Sequence, residues 1–203
     1  MSGSTGGRRG IGTCAVWVGL FGIVGALVLA ALPARAADGP CDEGKHWISV
    51  RAGYAKSRAR LAANGSYGYG FSYTWFLARG VAWTASVQHD LLGRFGAASE
   101  IEVPFATEFT RHFNLGATAR PYLGGGWGAI YHKTYRTGAD ESGFRQGLYV
   151  STGANAVLDA TSLIGFDLRM TLEQDTRSIN PSFPNIEPSS TVWSAKVSYS
   201  RVF

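Results

Sequence analysis

The last thirteen residues, Thr191-Val-Trp-Ser-Ala-Lys-Val-Ser-Tyr-Ser-Arg-Val-Phe203, constrain the fold most tightly. Successive side chains of a β-strand point to opposite faces. Counted back from the end, Phe203, Arg201, Tyr199, Val197, Ala195 and Trp193 share one face, which is mostly apolar or aromatic. Val202, Ser200, Ser198, Lys196 and Ser194 share the other, which is mostly small or polar. Arg201 interrupts the apolar face, but its long stem lets the guanidinium reach a polar interface. An edge strand of a soluble β-protein can carry the same pattern, so the rest of the chain has to decide.

The front of the chain reads as a targeting segment. Arg8 and Arg9 precede an apolar run from Ile11 to Leu32, and Ala34-Arg35-Ala36 follows it. A basic start, an apolar middle and an A-x-A exit define a secretory signal peptide, expected here over residues 1–36. Without that exit the run is long enough for a membrane helix. The Arg8-Arg9 pair is read as the charged start, not as a twin-arginine export signal. Of the 19 Lys and Arg, Arg8, Arg9 and Arg35 fall in this leader, while the 14 Asp and Glu all lie beyond it, so the charge after residue 36 is 16 − 14 = +2. The basic character of the whole chain therefore belongs partly to the leader and does not argue for a nucleic-acid partner. Cys14 goes with the leader. Cys41 is then a lone thiol and forms no internal disulfide; it is expected on a short, mobile periplasmic tail over residues 37–46. The four histidines, His46, His89, His112 and His132, are scattered, with no metal-ligand spacing, so neither a metal nor another cofactor is expected.

Alternation runs through residues 47–203. Strands are expected at about 47–56, 67–77, 81–90, 100–110, 118–132, 147–157, 163–172 and 191–203. In the second, Tyr67, Tyr69, Phe71, Tyr73, Trp75 and Leu77 alternate with Gly68, Gly70, Ser72, Thr74 and Phe76. In the seventh, Ile164, Phe166, Leu168 and Met170 alternate with Gly165, Asp167, Arg169 and Thr171. No segment after the leader holds 18 apolar residues. A chain that crosses lipid without such helices must do so as a closed barrel, because each backbone N–H and C=O needs a partner. The connections sort by length. Short ones fall around Ala78-Arg79-Gly80, Arg111 to Gly116 and Leu158 to Ser162; longer ones fall at about 57–66, 91–99, 133–146 and 173–190. Short turns at one end and long loops at the other suit a membrane barrel, whereas a soluble sandwich or lipocalin would turn its apolar face inward. The fold class expected is all-β: an eight-stranded antiparallel up-and-down transmembrane β-barrel preceded by a cleaved signal peptide.

Two segments carry a family likeness. The terminal strand ending on Phe203, and Arg120-Pro-Tyr-Leu-Gly-Gly-Gly-Trp-Gly128 in the fifth strand, resemble the small eight-stranded outer-membrane β-barrels of the OmpA/OmpX-like kind. The resemblance implies a bacterial outer-membrane location and a last strand, marked by Trp193, Val197, Tyr199 and Phe203, that engages the barrel-assembly machinery. It specifies architecture and not activity.

The inward face carries charge. Arg51, Glu100, Glu102, Glu108, Arg120, Asp167, Arg169 and Lys196 fall on it, and Glu108 and Arg120 flank the second short turn and are expected to meet. Eight strands leave room for little more than side chains. The main expectation is therefore a salt-bridged filling, and the alternative is a gated path for protons, ions or a small ligand. Trp47, Trp75, Trp83, Trp127, Tyr131 and Trp193 are assigned to outward interfacial girdles. Cations near the long loops, chiefly Arg58, Arg60, Lys133 and Arg136, are candidate contacts for lipopolysaccharide phosphates. The proline-stiffened segment Asn180–Pro188 is a candidate recognition surface. An enzyme is not expected. The layout from Arg169 to Glu187 is reminiscent of lipid A deacylase barrels, but Met170 to Gln174 holds neither His nor Ser, so nucleophile and base are missing. The function expected is that of a non-enzymatic outer-membrane protein acting through its loops in envelope integrity, adhesion or surface interaction. A narrow channel or ligand carrier is the second reading, and a lipid A-modifying enzyme the third.

Overall fold

A computed structural model describes residues 39–57, 65–95, 98–135, 141–175 and 191–203. The expected signal peptide, the cations Arg58, Arg60 and Arg136, and the segment Asn180–Pro188 lie outside the described residues. Eight strands follow in chain order: β1 (His46–Ser57), β2 (Ser66–Ala78), β3 (Val81–Phe95), β4 (Ala98–His112), β5 (Ala119–Tyr135), β6 (Glu141–Asp159), β7 (Ser162–Asp175) and β8 (Thr191–Val202). Each pairs antiparallel with its neighbours in sequence, and β1 pairs with β8 to close the barrel. The seam is sealed at the short-turn end by two backbone bonds: His46 N–H donates to the Phe203 carbonyl (3.1 Å) and Phe203 N–H to the His46 carbonyl (2.8 Å).

The period-two pattern becomes an inside-out distribution. Phe71, Val50, Tyr199 and Ile164 are cross-strand neighbours on β2, β1, β8 and β7. They form one row on the outer wall, 57%, 52%, 48% and 50% exposed. Among the described residues, 18 buried side chains are polar or charged and 8 are apolar. That ratio is the reverse of a water-soluble core and fits a wall facing hydrocarbon.

The turns between β2 and β3 and between β6 and β7 leave two residues each, Arg79–Gly80 and Ala160–Thr161. Gly80 takes φ +69°, and a Cβ there would stand 2.6 Å from the His112 carbonyl oxygen, so only glycine fits. At the opposite end the strands run further than the apolar pattern predicts. β3 continues to Phe95 and β4 starts at Ala98; β5 reaches Tyr135 and β6 starts at Glu141. Most of the long connections expected at 91–99 and 133–146 is therefore strand. Backbone pairing continues where the apolar alternation stops, because a ladder outside hydrocarbon needs no apolar side chains to hold it.

Two further expectations are corrected at the short-turn end. Trp47 is not on the outer girdle. It shares the face of Ser49 and Arg51, is 3% exposed, and lies 4.8 Å from Phe76 between ring centroids. Its position near a strand end suggested a girdle, but the alternation along β1 places it in the lumen. Nor does Cys41 ride on a mobile tail. It is buried with Trp47, Phe76, Ala82, Leu163 and Val202 in one apolar cluster, because residues 39–45 turn back over the barrel mouth instead of leading away from it.

Deleting Phe203 removes both seam bonds. At about 0.5–1.5 kcal/mol each, this lowers stability by about 1–3 kcal/mol. Urea titration and the heat-modifiable band on a gel check the outcome: a smaller folded fraction is expected, and a normal folding yield in membranes would contradict the seam described here.

Candidate functional site in the barrel lumen

The lumen is ordered in layers. Above the apolar cluster, small hydroxyls pair across adjacent strands: Ser49 Oγ with Ser200 Oγ at 2.7 Å, and Thr74 Oγ1 with Thr84 Oγ1 at 2.8 Å. His112, on the inward face of β4 with Glu108 and Thr110, meets Thr110 Oγ1 through Nε2 at 3.1 Å. Its ring packs among Trp47, Phe76 and Tyr122, with centroids 5.4, 5.2 and 5.0 Å away.

A charged layer follows. Arg169 Nη2 donates to Glu108 Oε2 at 3.2 Å, and Ser151 Oγ donates to the same oxygen at 3.1 Å. The Arg169 guanidinium lies 4.0 Å above the Tyr149 ring centroid, within the range of a desolvated cation–π contact. The Tyr149 hydroxyl donates to the Thr107 carbonyl at 3.2 Å. Asp167 accepts from the Tyr122 hydroxyl at 2.7 Å and stands 3.8 Å from Arg51 Nη2. Lys196 is cross-strand to Asp167 on one side and to Gly53 on the other. A Cβ on Gly53 would come within 2.8 Å of Lys196 Cγ, so the glycine makes the space that the lysine stem fills. Towards the long-loop end Gln88 Nε2 donates to Asp90 Oδ1 at 2.8 Å. Arg51, Arg169 and Lys196 are thus matched by Asp90, Glu108 and Asp167, all buried. Balanced charge of opposite sign at close range is the form in which ions are tolerated away from water.

The inward residues separate into three places. Arg51, Glu108, Asp167, Arg169 and Lys196 belong to the charged layer. Glu102 stands nearer the long-loop end, 3.4 Å from Arg145, which lies on β6 and not in the loop expected at 133–146. Arg120 does not meet Glu108. It lies at the short-turn end and donates to the backbone carbonyls of Gly116 (2.9 Å), Ala119 (3.0 Å) and Ala117 (3.1 Å). Glu108 faces Gly126 and His112 faces Tyr122, so the β4–β5 hairpin is centred on residue 117; a meeting of Glu108 with Arg120 needs a centre at 114. Six residues separate Gly126 from Arg120, roughly 20 Å along a strand. Glu100 holds a register position opposite Thr134.

The aromatic partners Tyr122 and Tyr149 carry only a faint sequence signal. Their signal is parity: Tyr149 alternates in step with Gly147, Ser151 and Gly153, and Tyr122 with Gly124 and Gly126. On the outer wall Trp193, Val197, Tyr199 and Phe203 are exposed along the terminal strand. Lys133 sits on the outward face of β5, its Nζ 4.6 Å from the Tyr135 ring centroid. Among the described residues no group of three His, Cys, Asp or Glu side chains could hold a metal ion.

A closed eight-stranded meander with an apolar outer wall and a charge-matched interior defines the class: a small transmembrane β-barrel of the outer-membrane type. Solved structures share the fold. Neisserial surface protein A superposes with a TM-score of 0.62 at 14% identity, over 79% of this chain and 98% of that one. Ail of Yersinia pestis gives 0.54 at 13%, over 79% and 99%. The N-terminal barrel domain of Pseudomonas aeruginosa OprF gives 0.52 at 13%, over 77% and 97%. No protein-family model matches the chain, and no curated protein does.

Glu108→Gln leaves Arg169 buried without its counter-charge and is expected to cost about 3–5 kcal/mol. Adding Arg169→Met is expected to recover most of that loss. Arg120→Gln is expected to cost about 1 kcal/mol, the worth of ordinary hydrogen bonds at a turn. Urea unfolding in lipid vesicles measures all three, and equal costs for Glu108→Gln and Arg120→Gln would contradict the separation of these residues.

Proposed function

We propose that this chain is an integral protein of a bacterial outer membrane, exported by its leader, whose lumen is a closed salt-bridged filling and whose work is done by its long-loop end. The observation that carries the reading is the pairing of opposite charges inside the buried layer. Glu108 accepts from Arg169 and Ser151, and Asp167 accepts from Tyr122 and stands 3.8 Å from Arg51. A solute crossing the barrel would have to part these pairs in an interior already occupied by side chains. With the lumen filled, the loop end is the surface through which envelope integrity, adhesion or surface interaction is served, without catalysis.

The partners follow from the surface chemistry. Hydrocarbon chains cover the apolar wall. Lys133, with Arg58, Arg60 and Arg136, suits lipopolysaccharide phosphates, which cations attract strongly beside a low-dielectric layer. The outward residues of β8 suit the assembly machinery.

Planar-bilayer recording of the refolded full chain tests the proposal. No steady unitary current is expected, from the wild type or from the Glu108→Gln variant. Steady unitary steps whose size changes in Glu108→Gln would overturn the filled lumen in favour of a narrow channel.

A further inference from the structure

The segment preceding β1 has a socket whose walls come from both ends of the chain. Residues 39–45 form a compact turn: Asp42 N–H donates to the Gly39 carbonyl (3.1 Å), Lys45 N–H donates to the Asp42 carbonyl (3.2 Å), and the Asp42 carboxylate accepts from the Gly39 N–H. The segment is latched to one side of the mouth. Gly44 N–H donates to the Phe76 carbonyl (2.9 Å), Phe76 N–H to the Lys45 carbonyl (3.0 Å), and Gly80 N–H to the Cys41 carbonyl (2.8 Å). The Trp47 indole N–H, inside the lumen, donates to the Pro40 carbonyl at 2.7 Å. Asp42 stands 3.4 Å from Arg79 Nε on the β2–β3 turn. All of these latches belong to β1, β2 and the β2–β3 turn.

The apolar contacts reach the other side. Cys41 is buried in one cluster with Trp47, Phe76 and Ala82 from β1–β3, and with Leu163 of β7 and Val202 of β8. Leu163 and Val202 are 122 and 161 residues further along the chain than Cys41. They reach this place only when β8 pairs with β1. Two of the five apolar partners of Cys41 are therefore absent from a sheet that has not closed. Gly44, at φ +80° and with nothing within 4 Å of a Cβ built on it, makes the left-handed turn that swings the segment over the mouth.

We propose that residues 39–45 are a hinged stopper that seats in the short-turn mouth of the lumen only once β8 has closed on β1, so that completing the barrel also seals it on that side. The hydrogen bonds hold the stopper on the β1–β3 wall, and the arrival of Leu163 and Val202 supplies the far apolar wall that keeps it shut. A seated stopper keeps the Cys41 thiol from water, and that burial pushes its pKa up to about 12. The thiolate is the reactive form, which makes Cys41 a built-in reporter of the seat.

The test is pulse labelling of the full wild-type chain with a small maleimide during refolding from urea into lipid vesicles. Mass spectrometry of the Cys41 peptide reads the label, and the heat-modifiable gel band from the same time points reads closure. In the finished barrel Cys41 is expected to label about a hundred-fold more slowly than in urea, as a group exposed only by local opening. That protection is expected with the folded band or after it. Protection that clearly precedes the band would show the stopper seating on the open β1–β3 sheet and would overturn the coupling. Labelling of the finished barrel at the rate seen in urea would overturn the stopper itself. Val202→Ser thins the far wall and is expected to speed labelling of folded barrels about ten-fold, again through easier local opening. An unchanged rate in folded Val202→Ser barrels would remove the far wall from the proposal, and if this variant does not fold, the timing in the wild type still decides.

Discussion

The structure depends on one requirement: in hydrocarbon, each backbone N–H and C=O must find its partner within the chain. A sheet of eight strands meets it only by joining its first edge to its last. The β1–β8 ladder, ending in the reciprocal bonds between His46 and Phe203, is where this chain does so. Closure leaves no strand edge open to another chain, and it fixes the diameter. Eight strands give an interior the width of a few side chains, so each inward residue is chosen by what faces it across a short gap.

That narrowness accounts for the composition of the lumen. Hydroxyls meet hydroxyls at Ser49–Ser200 and Thr74–Thr84. Charges meet counter-charges at Glu108–Arg169 and Asp167–Arg51, and Gly53 gives its space to Lys196. The layers also have a direction. Apolar residues fill the short-turn end, charges fill the middle, and the Glu102–Arg145 pair stands towards the long loops. A solute crossing such a barrel would have to pass both the packed rings and the paired charges.

The sequence makes the wall legible because a period of two is a local property. Tyr67 to Leu77 on β2 and Ile164 to Met170 on β7 need no tertiary information to be assigned to one face. The same period gives the inward positions of Arg51, Glu108, Asp167, Arg169 and Lys196. Which of them meet is another matter, since pairing depends on hairpin register. A shift of three residues in the centre of the β4–β5 turn moves Arg120 from beside Glu108 to the carbonyls of Gly116, Ala117 and Ala119. Trp47 stands near a strand end, where an indole suits a girdle, although the parity of β1 places it inside. The burial of Cys41 has no periodic signature, because its socket is assembled from Phe76, Leu163 and Val202, three distant points of the chain. At the long-loop end the strands outrun their sequence signal, because apolar alternation stops there and pairing does not.

The central claim is the direction in which the two faces of the sheet point. Single-tryptophan variants in vesicles whose acyl chains carry a quencher test it directly, one retaining Trp47 and the others Trp75, Trp127 or Trp193. Strong quenching of the three outer indoles, with Trp47 shielded in the lumen, is the result predicted. Quenching of Trp47 with the outer three untouched would contradict the account.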